Sequence, residues 1–129
     1  MDYVFDESMN IMYPMPLSTL GQPVYAAKAE LFRALGHPAR IRILELLVDG
    51  EKPVSDLLAE IGLEPSTLSQ HLAVVKRIGL VESSRKGNAV TYRLTDASVE
   101  QFLDAARTVL ASTLGKARLA LEELEGTGA

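Results

Sequence analysis

The sequence predicts a mainly α-helical fold carrying one small β-hairpin. Three observations support it. Apolar residues recur at helical spacing in short blocks between residues 24 and 78. The period then changes to two after Gly79, and helical spacing returns from Thr95 onward. At 129 residues the chain suits one compact domain. Its 47% hydrophobic content with few aromatics (three Phe, four Tyr, no Trp) suits a core of Leu, Val, Ile and Ala between helices.

Residues 1–22 hold Pro14, Pro16 and Gly21 and no steady period, so an N-terminal extension is expected there, flexible or draped over the domain. From Val24 to Leu35 the residues Ala27, Leu31, Ala34 and Leu35 mark a first helix that Gly36 ends. His37-Pro38 opens a second, with His37 at the N-cap and Pro38 where a missing N–H costs nothing. Ile41, Leu44, Leu47 and Val48 carry it to Asp49-Gly50.

Lys52-Pro53-Val54 reads as a short extended link. Ser55 to Ile61 makes a two-turn helix with Leu57, Leu58 and Ile61 inward, and Gly62 fits the left-handed position after its end. Glu64-Pro65 starts a further helix to about Ile78, stopped by Gly79. Two helices joined by a short Gly-containing turn form a helix-turn-helix. Residues 80–85 and 89–94 then alternate as strands around Lys86-Gly87-Asn88, a tight hairpin. A hairpin placed there is a wing, so residues 53–94 predict a winged helix-turn-helix within a domain spanning 23–125. The fifth helix is expected from Asp96 to about Glu125, before a tail of 126–129. Its stripe of Val99, Leu103, Ala106, Leu110, Thr113, Ala117, Leu121 and Leu124 exceeds what one small domain must cover, so part of it reads as a self-association face.

Charge is unevenly spread. The net charge is −4 overall, yet residues 64–94 carry five basic groups (Lys76, Arg77, Arg85, Lys86, Arg93) against Glu64 and Glu82. On a wheel of about 100° per residue, Leu68, Leu72 and Val75 of the 65–78 helix cluster on one side. Ser66, Gln70, Ala73 and Arg77 lie opposite, with Thr67 and Val74 beside them. A solvated helix face usually carries Glu and Lys. A small polar face can sink into a major groove, where Ser and Gln bond base edges and Arg reaches phosphate or guanine. The hairpin tip, Arg85-Lys86-Gly87-Asn88, would add salt-dependent contact to the DNA backbone or minor groove.

Here the chain resembles a known family. Leu35-Gly36-His37-Pro38-Ala39-Arg40-Ile41-Arg42-Ile43-Leu44-Glu45-Leu46-Leu47 looks like the opening signature of the ArsR/SmtB bacterial repressors. Ser66-Thr67-Leu68-Ser69-Gln70-His71-Leu72, with Val75 and Gly79-Leu80-Val81, resembles their recognition helix and its exit. Arg85-Lys86-Gly87-Asn88 through Tyr92-Arg93-Leu94 resembles their wing. The match spans about Lys28 to Leu94. It implies a homodimer built from the first and last helices (24–35 and 96–125), with Leu31, Leu103, Ala106, Leu110 and Ala117 at the interface. It also implies binding to an inverted-repeat operator in double-stranded DNA, repressing transcription until an effector weakens binding. The DNA-facing set is then Ser66, Thr67, Ser69, Gln70, His71, Arg77, Arg85, Lys86 and Asn88. His71 borders the buried stripe, at a position that either places the helix or touches the DNA backbone.

The departures from the family pattern narrow the effector. The chain has no cysteine, which removes disulfides, thiolate metal sites and thiol sensing. Where metal sensors of this family carry Cys-x-Cys, this chain has Val54-Ser55-Asp56-Leu57-Leu58. The last helix offers Glu100, Asp104, Glu122 and Glu123 but no histidine, and carboxylates alone hold transition metals poorly. No metal and no cofactor is therefore expected. Histidine as a residue type can serve as a pH switch, but nothing in the sequence gives His37 or His71 that role. No enzymatic constellation appears. The competing expectation from another class is a winged-helix protein-interaction module that does not bind DNA, which the acidic total charge would suit. No apolar run of about 18 residues exists, and the N-terminus is acidic where a secretory signal is basic, so a cytoplasmic protein is expected.

Overall fold

The computed structural model describes residues 3–6, 11–14, 23–115, 122, 124 and 125. Strands β1 (Tyr3–Asp6) and β2 (Ile11–Pro14) pair antiparallel, so part of the expected N-terminal extension is a hairpin. Five helices with defined bounds follow: α1 (Val24–Leu35), α2 (Pro38–Leu47), α3 (Val54–Ile61), α4 (Pro65–Arg77) and α5 (Ala97–Thr113). Between them lie β3 (Lys52–Pro53), β4 (Val81–Lys86) and β5 (Ala89–Leu94). This is a winged helix-turn-helix.

The caps follow local chemistry. His37 Nδ1 accepts the Ala39 N–H at 3.0 Å, which satisfies one orphan donor at the start of α2. Gly62 closes α3 at φ +76, a conformation that other residues reach only with strain. Asp96 caps α5 by accepting the Ser98 N–H at 2.7 Å. The Ser98 hydroxyl donates to the same carboxylate, and these bonds hold Asp96 below its usual pKa.

The wing closes through Gly87-Asn88, with Lys86 opposite Ala89 and Gly87 at φ +64. Lys52-Pro53 proves to be more than a link. Lys52 pairs with Tyr92 and Pro53 with Thr91, giving a three-stranded sheet in the order β3-β5-β4. Two residues are too few to show a period, so the sequence did not reveal this strand. Its proline sits on an edge, where a missing ladder donor is tolerated.

The core lies where α2, α3 and α4 meet. Ile43, Leu44, Leu57, Leu68 and Val75 are fully buried there, each contributing about 1.5–3 kcal/mol by burial. Leu72, Val81 and Val99 complete it from α4, β4 and α5. The buried side of α4 is thus the stripe expected from its wheel, with His71 added.

The last helix differs from expectation. It was expected to run to Glu125 but ends at Thr113, and Gly115 follows at φ +51. Arg107 and Glu125 form an ion pair at 2.8 Å although 18 residues separate them. A continuous helix would hold them about 27 Å apart at 1.5 Å per residue. Residues 122, 124 and 125 are helical again, and the ion pair sets Glu125 beside α5. Ala117 lies outside the described residues.

Candidate nucleic-acid interface

The helix α4 presents Ser66, Ser69 and Gln70 outward, all exposed, while Thr67 and Arg77 are half-buried beside them. Its N-cap, Glu64, makes no side-chain capping bond, and Pro65 fills the first helical position. Arg85, Lys86 and Asn88 are exposed at the wing. The two groups flank one cleft of about 660 Å³, lined by Ser55, Leu58, Ser69, Asn88 and Tyr92 among others. Ser55, at the start of α3, was not among the residues singled out from sequence. The β3–β5 pairing, together with contacts of α3 on β5, sets it beside the wing.

The wing's cations differ in their surroundings. Lys86 Nζ lies 2.6 Å from the Glu51 carboxylate. That carboxylate is held below its usual pKa first by the Lys86 bond and then by one from Thr91. Arg93 pairs across the sheet with Glu82 at 2.9 Å. Arg85 makes no ion pair among the described residues. Thr91 is buried, sharing a hydroxyl–hydroxyl bond with Ser84 at 2.9 Å and donating to the Ser84 carbonyl at 3.3 Å. These bonds fix one strand of the wing against the other.

His71 does not stand with the exposed residues, and the expectation that its side chain faces DNA is corrected here. It is 9% exposed, and its Nδ1 accepts the Arg40 Nε–H at 3.2 Å. Leu68, Leu72 and Val75 share its side of the helix, so the imidazole is drawn into the domain. Burial, then the neighbouring His37 and Arg40, lowers its pKa. The His37 and His71 rings lie 4.3 Å apart, a contact invisible in sequence because 34 positions separate them. Among the described residues no group of three or more His, Asp or Glu side chains gathers as a metal ion would need.

The comparisons with known proteins agree with this geometry. The profile described as bacterial regulatory protein, arsR family, matches residues 37–83, from the α2 cap through the first half of the wing. The HTH-type transcriptional regulator Rv0081 of Mycobacterium tuberculosis is 46% identical over 108 residues, covering 83% of this chain and 95% of that protein. The chain belongs to the ArsR family. The crystal structure of Rv0081 superposes with a TM-score of 0.69 at 47% identity, covering 74% of this chain and 97% of that one. The biofilm growth-associated repressor of Xylella fastidiosa is 40% identical over 81 residues, covering 63% of this chain and 71% of that protein. The solution structure of the homodimeric winged helix-turn-helix DNA-binding domain of Mb0332 from Mycobacterium bovis has a TM-score of 0.66 at 28% identity, covering 76% of this chain and 95% of that one. This ArsR-family chain is accordingly a transcriptional regulator with a winged helix-turn-helix DNA-binding fold, not an enzyme. No helix among its described residues is long and apolar enough to cross a membrane.

Proposed function

We propose that this regulator is a cytoplasmic homodimeric repressor that reads an inverted-repeat operator with α4 in the major groove. One observation carries the reading: Ser66, Ser69 and Gln70 form an exposed row of small polar side chains beside a wing tip whose Arg85 has no ion-pair partner among the described residues. Small hydroxyl and amide groups allow close approach and bond base edges, with Thr67 and Arg77 flanking them. Arg85, Lys86 and Asn88 contact the backbone or minor groove and contribute affinity without sequence preference.

Dimerisation through α1 and α5 is supported by their uncovered apolar side chains. Tyr25 and Phe32 of α1 are 78% and 58% exposed, and Val109 and Leu110 of α5 are 57% and 51% exposed. Leu31 and Leu103 are half-buried against the chain's own core, so they join the two surfaces, and Ala106 is exposed between them. A two-fold axis would set the two α4 helices about 34–36 Å apart, one turn of DNA. Repression would follow from occupying a promoter, and the Xylella relative is named a repressor. The effector is not a thiolate-bound metal, since the chain has no cysteine.

Mobility shifts with genomic fragments, including the chain's own promoter, test the reading. A salt-sensitive shift at micromolar dimer is expected. Its absence would leave the protein-interaction alternative standing instead.

A further inference from the structure

One guanidinium ties three helices together. Arg40, in the first turn of α2, donates from Nε to His71 Nδ1 at 3.2 Å and from Nη1 to the Ala34 carbonyl at 3.1 Å. Ala34 lies in the last turn of α1, and His71 lies at the middle of α4, next to Gln70. Both are buried. The opposing ring, His37, is itself fixed by accepting the Ala39 N–H. The end of the proposed dimer helix and the centre of the proposed reading helix thus share one side chain.

We propose that Arg40 and His71 are positioning residues for DNA binding, and that protonation of His71 opens their clamp and releases α4 from its DNA-reading position. The inference rests on α4 being the reading helix.

The chemistry is that of a donor without an acceptor. A guanidinium has only N–H groups to offer, so His71 accepts only while Nδ1 keeps its lone pair. The imidazolium carries a proton there, which sets donor against donor and cation against cation in a partly desolvated place. The titratable and charged groups acting on His71 are His37, the N-cap of α2, and Arg40 in its first turn. The α1 contribution is the neutral Ala34 carbonyl, held by Arg40. No carboxylate acts on His71 among the described residues, so nothing offsets the added charge. Burial lowers the pKa of Arg40 as well, but an arginine stays charged throughout the working range.

The expected sign is diagnostic. Acid makes any protein more positive, and that alone tightens its attraction to phosphates. Opening the clamp works the other way. DNA binding that weakens in mild acid therefore points to the clamp and away from general electrostatics. The chain has two histidines, so only one other imidazole can be confused with His71.

The test uses a labelled duplex enriched from a random library with the full chain at pH 7.5, titrated at constant ionic strength from pH 7.5 to 5.5. Wild-type affinity should fall on the order of tenfold, with helical circular dichroism unchanged. His71→Asn puts a carbonyl oxygen near the Nδ1 position and cannot ionise. It should bind within a few-fold of wild type at pH 7.5 and lose the acid response. His37→Asn keeps a capping acceptor and should retain the response. Proton NMR of the two imidazoles gives a readout free of DNA. The His71 midpoint should lie below the ordinary histidine range, coincide with the loss of affinity, and rise in Arg40→Met. An acid response unchanged in His71→Asn, a wild-type affinity that is flat or tightens in acid, or a His71 midpoint at or above the ordinary range would each overturn the proposal. Should His71→Asn fail to fold, the coincidence of the NMR and affinity midpoints decides. If no duplex is enriched, the DNA reading itself fails, while NMR still reports whether Arg40 holds His71 neutral.

Discussion

Replacing Glu51 by Gln should make the regulator bind DNA more tightly and more salt-sensitively. Lys86 at the wing is held 2.6 Å from the Glu51 carboxylate, so its charge is already neutralised within the domain. For Lys86 to meet a phosphate it must exchange one anion for another, which releases few counterions. Glutamine keeps the size and the bond to Thr91 but removes the charge. Each wing then gains about one effective phosphate contact. At about 0.9 per contact, a dimer's slope of log affinity against log salt steepens by about 1.8. Between 50 and 200 mM salt that is an extra loss of roughly tenfold, with the variant the tighter binder at the low end. Fluorescence anisotropy on one duplex across that salt range measures both quantities. The reference is Arg85→Ala, which should flatten the slope by about 1.8, because Arg85 has no ion pair among the described residues to exchange. A Glu51→Gln slope equal to wild type would show that the wing does not lie on the backbone, and the assignment of Lys86 would fall with it.

The remaining expectations concern the reading face, the interface, pH and metal. Gln70→Ala should narrow the preference for the selected operator over a scrambled duplex by about 1–3 kcal/mol, whereas Arg85→Ala weakens both alike; competition titrations distinguish them. Leu110→Glu puts a charge on an exposed apolar face of α5 and should convert the dimer to monomer by sedimentation, with the thermal transition of the monomer domain little changed. His71 binds a proton less readily folded than unfolded, so its stabilising share is fully present above about pH 6.5 and is lost as pH falls through that value toward the lower folded pKa. The melting temperature should therefore drop between pH 7 and 5, and less so in His71→Asn. Added zinc or nickel should leave operator affinity nearly unchanged, and a large response in the anisotropy titration would refute the metal-free reading.

Most of the α-helical frame was legible because its signals are local. The Gly62 turn, the His37-Pro38 cap and the Leu68, Leu72, Val75 stripe each lie within a few residues of one another, and each appears as expected. The exposed Ser66 and Gln70 followed from the same wheel, whereas Ser69 entered only with the family resemblance. Features that depend on distant pairing were not legible. Glu51 meets Lys86 across 35 positions, and Lys52 becomes a strand only because Tyr92 lies alongside it. His71 was ambiguous on the wheel, and Arg40, 31 residues away, decides which way it points.

The end of α5 shows how a local signal can mislead. The apolar stripe from Val99 to Leu124 keeps helical spacing across Gly115, so periodicity alone predicts one long helix. Periodicity, however, registers spacing and not continuity, so it does not tell one helix from two. α5 ends at Thr113, Gly115 has φ +51, and Arg107 pairs with Glu125 at 2.8 Å, which one continuous helix would not allow. The proposed self-association face can draw on Val109 and Leu110 of α5 and on Leu114 and Leu124 beyond it, all of them exposed. In the proposed dimer they would act together with Tyr25 and Phe32 of α1, which are exposed as well. A charge placed at Leu110, in the middle of that exposed apolar set, is therefore a direct test of the proposed assembly.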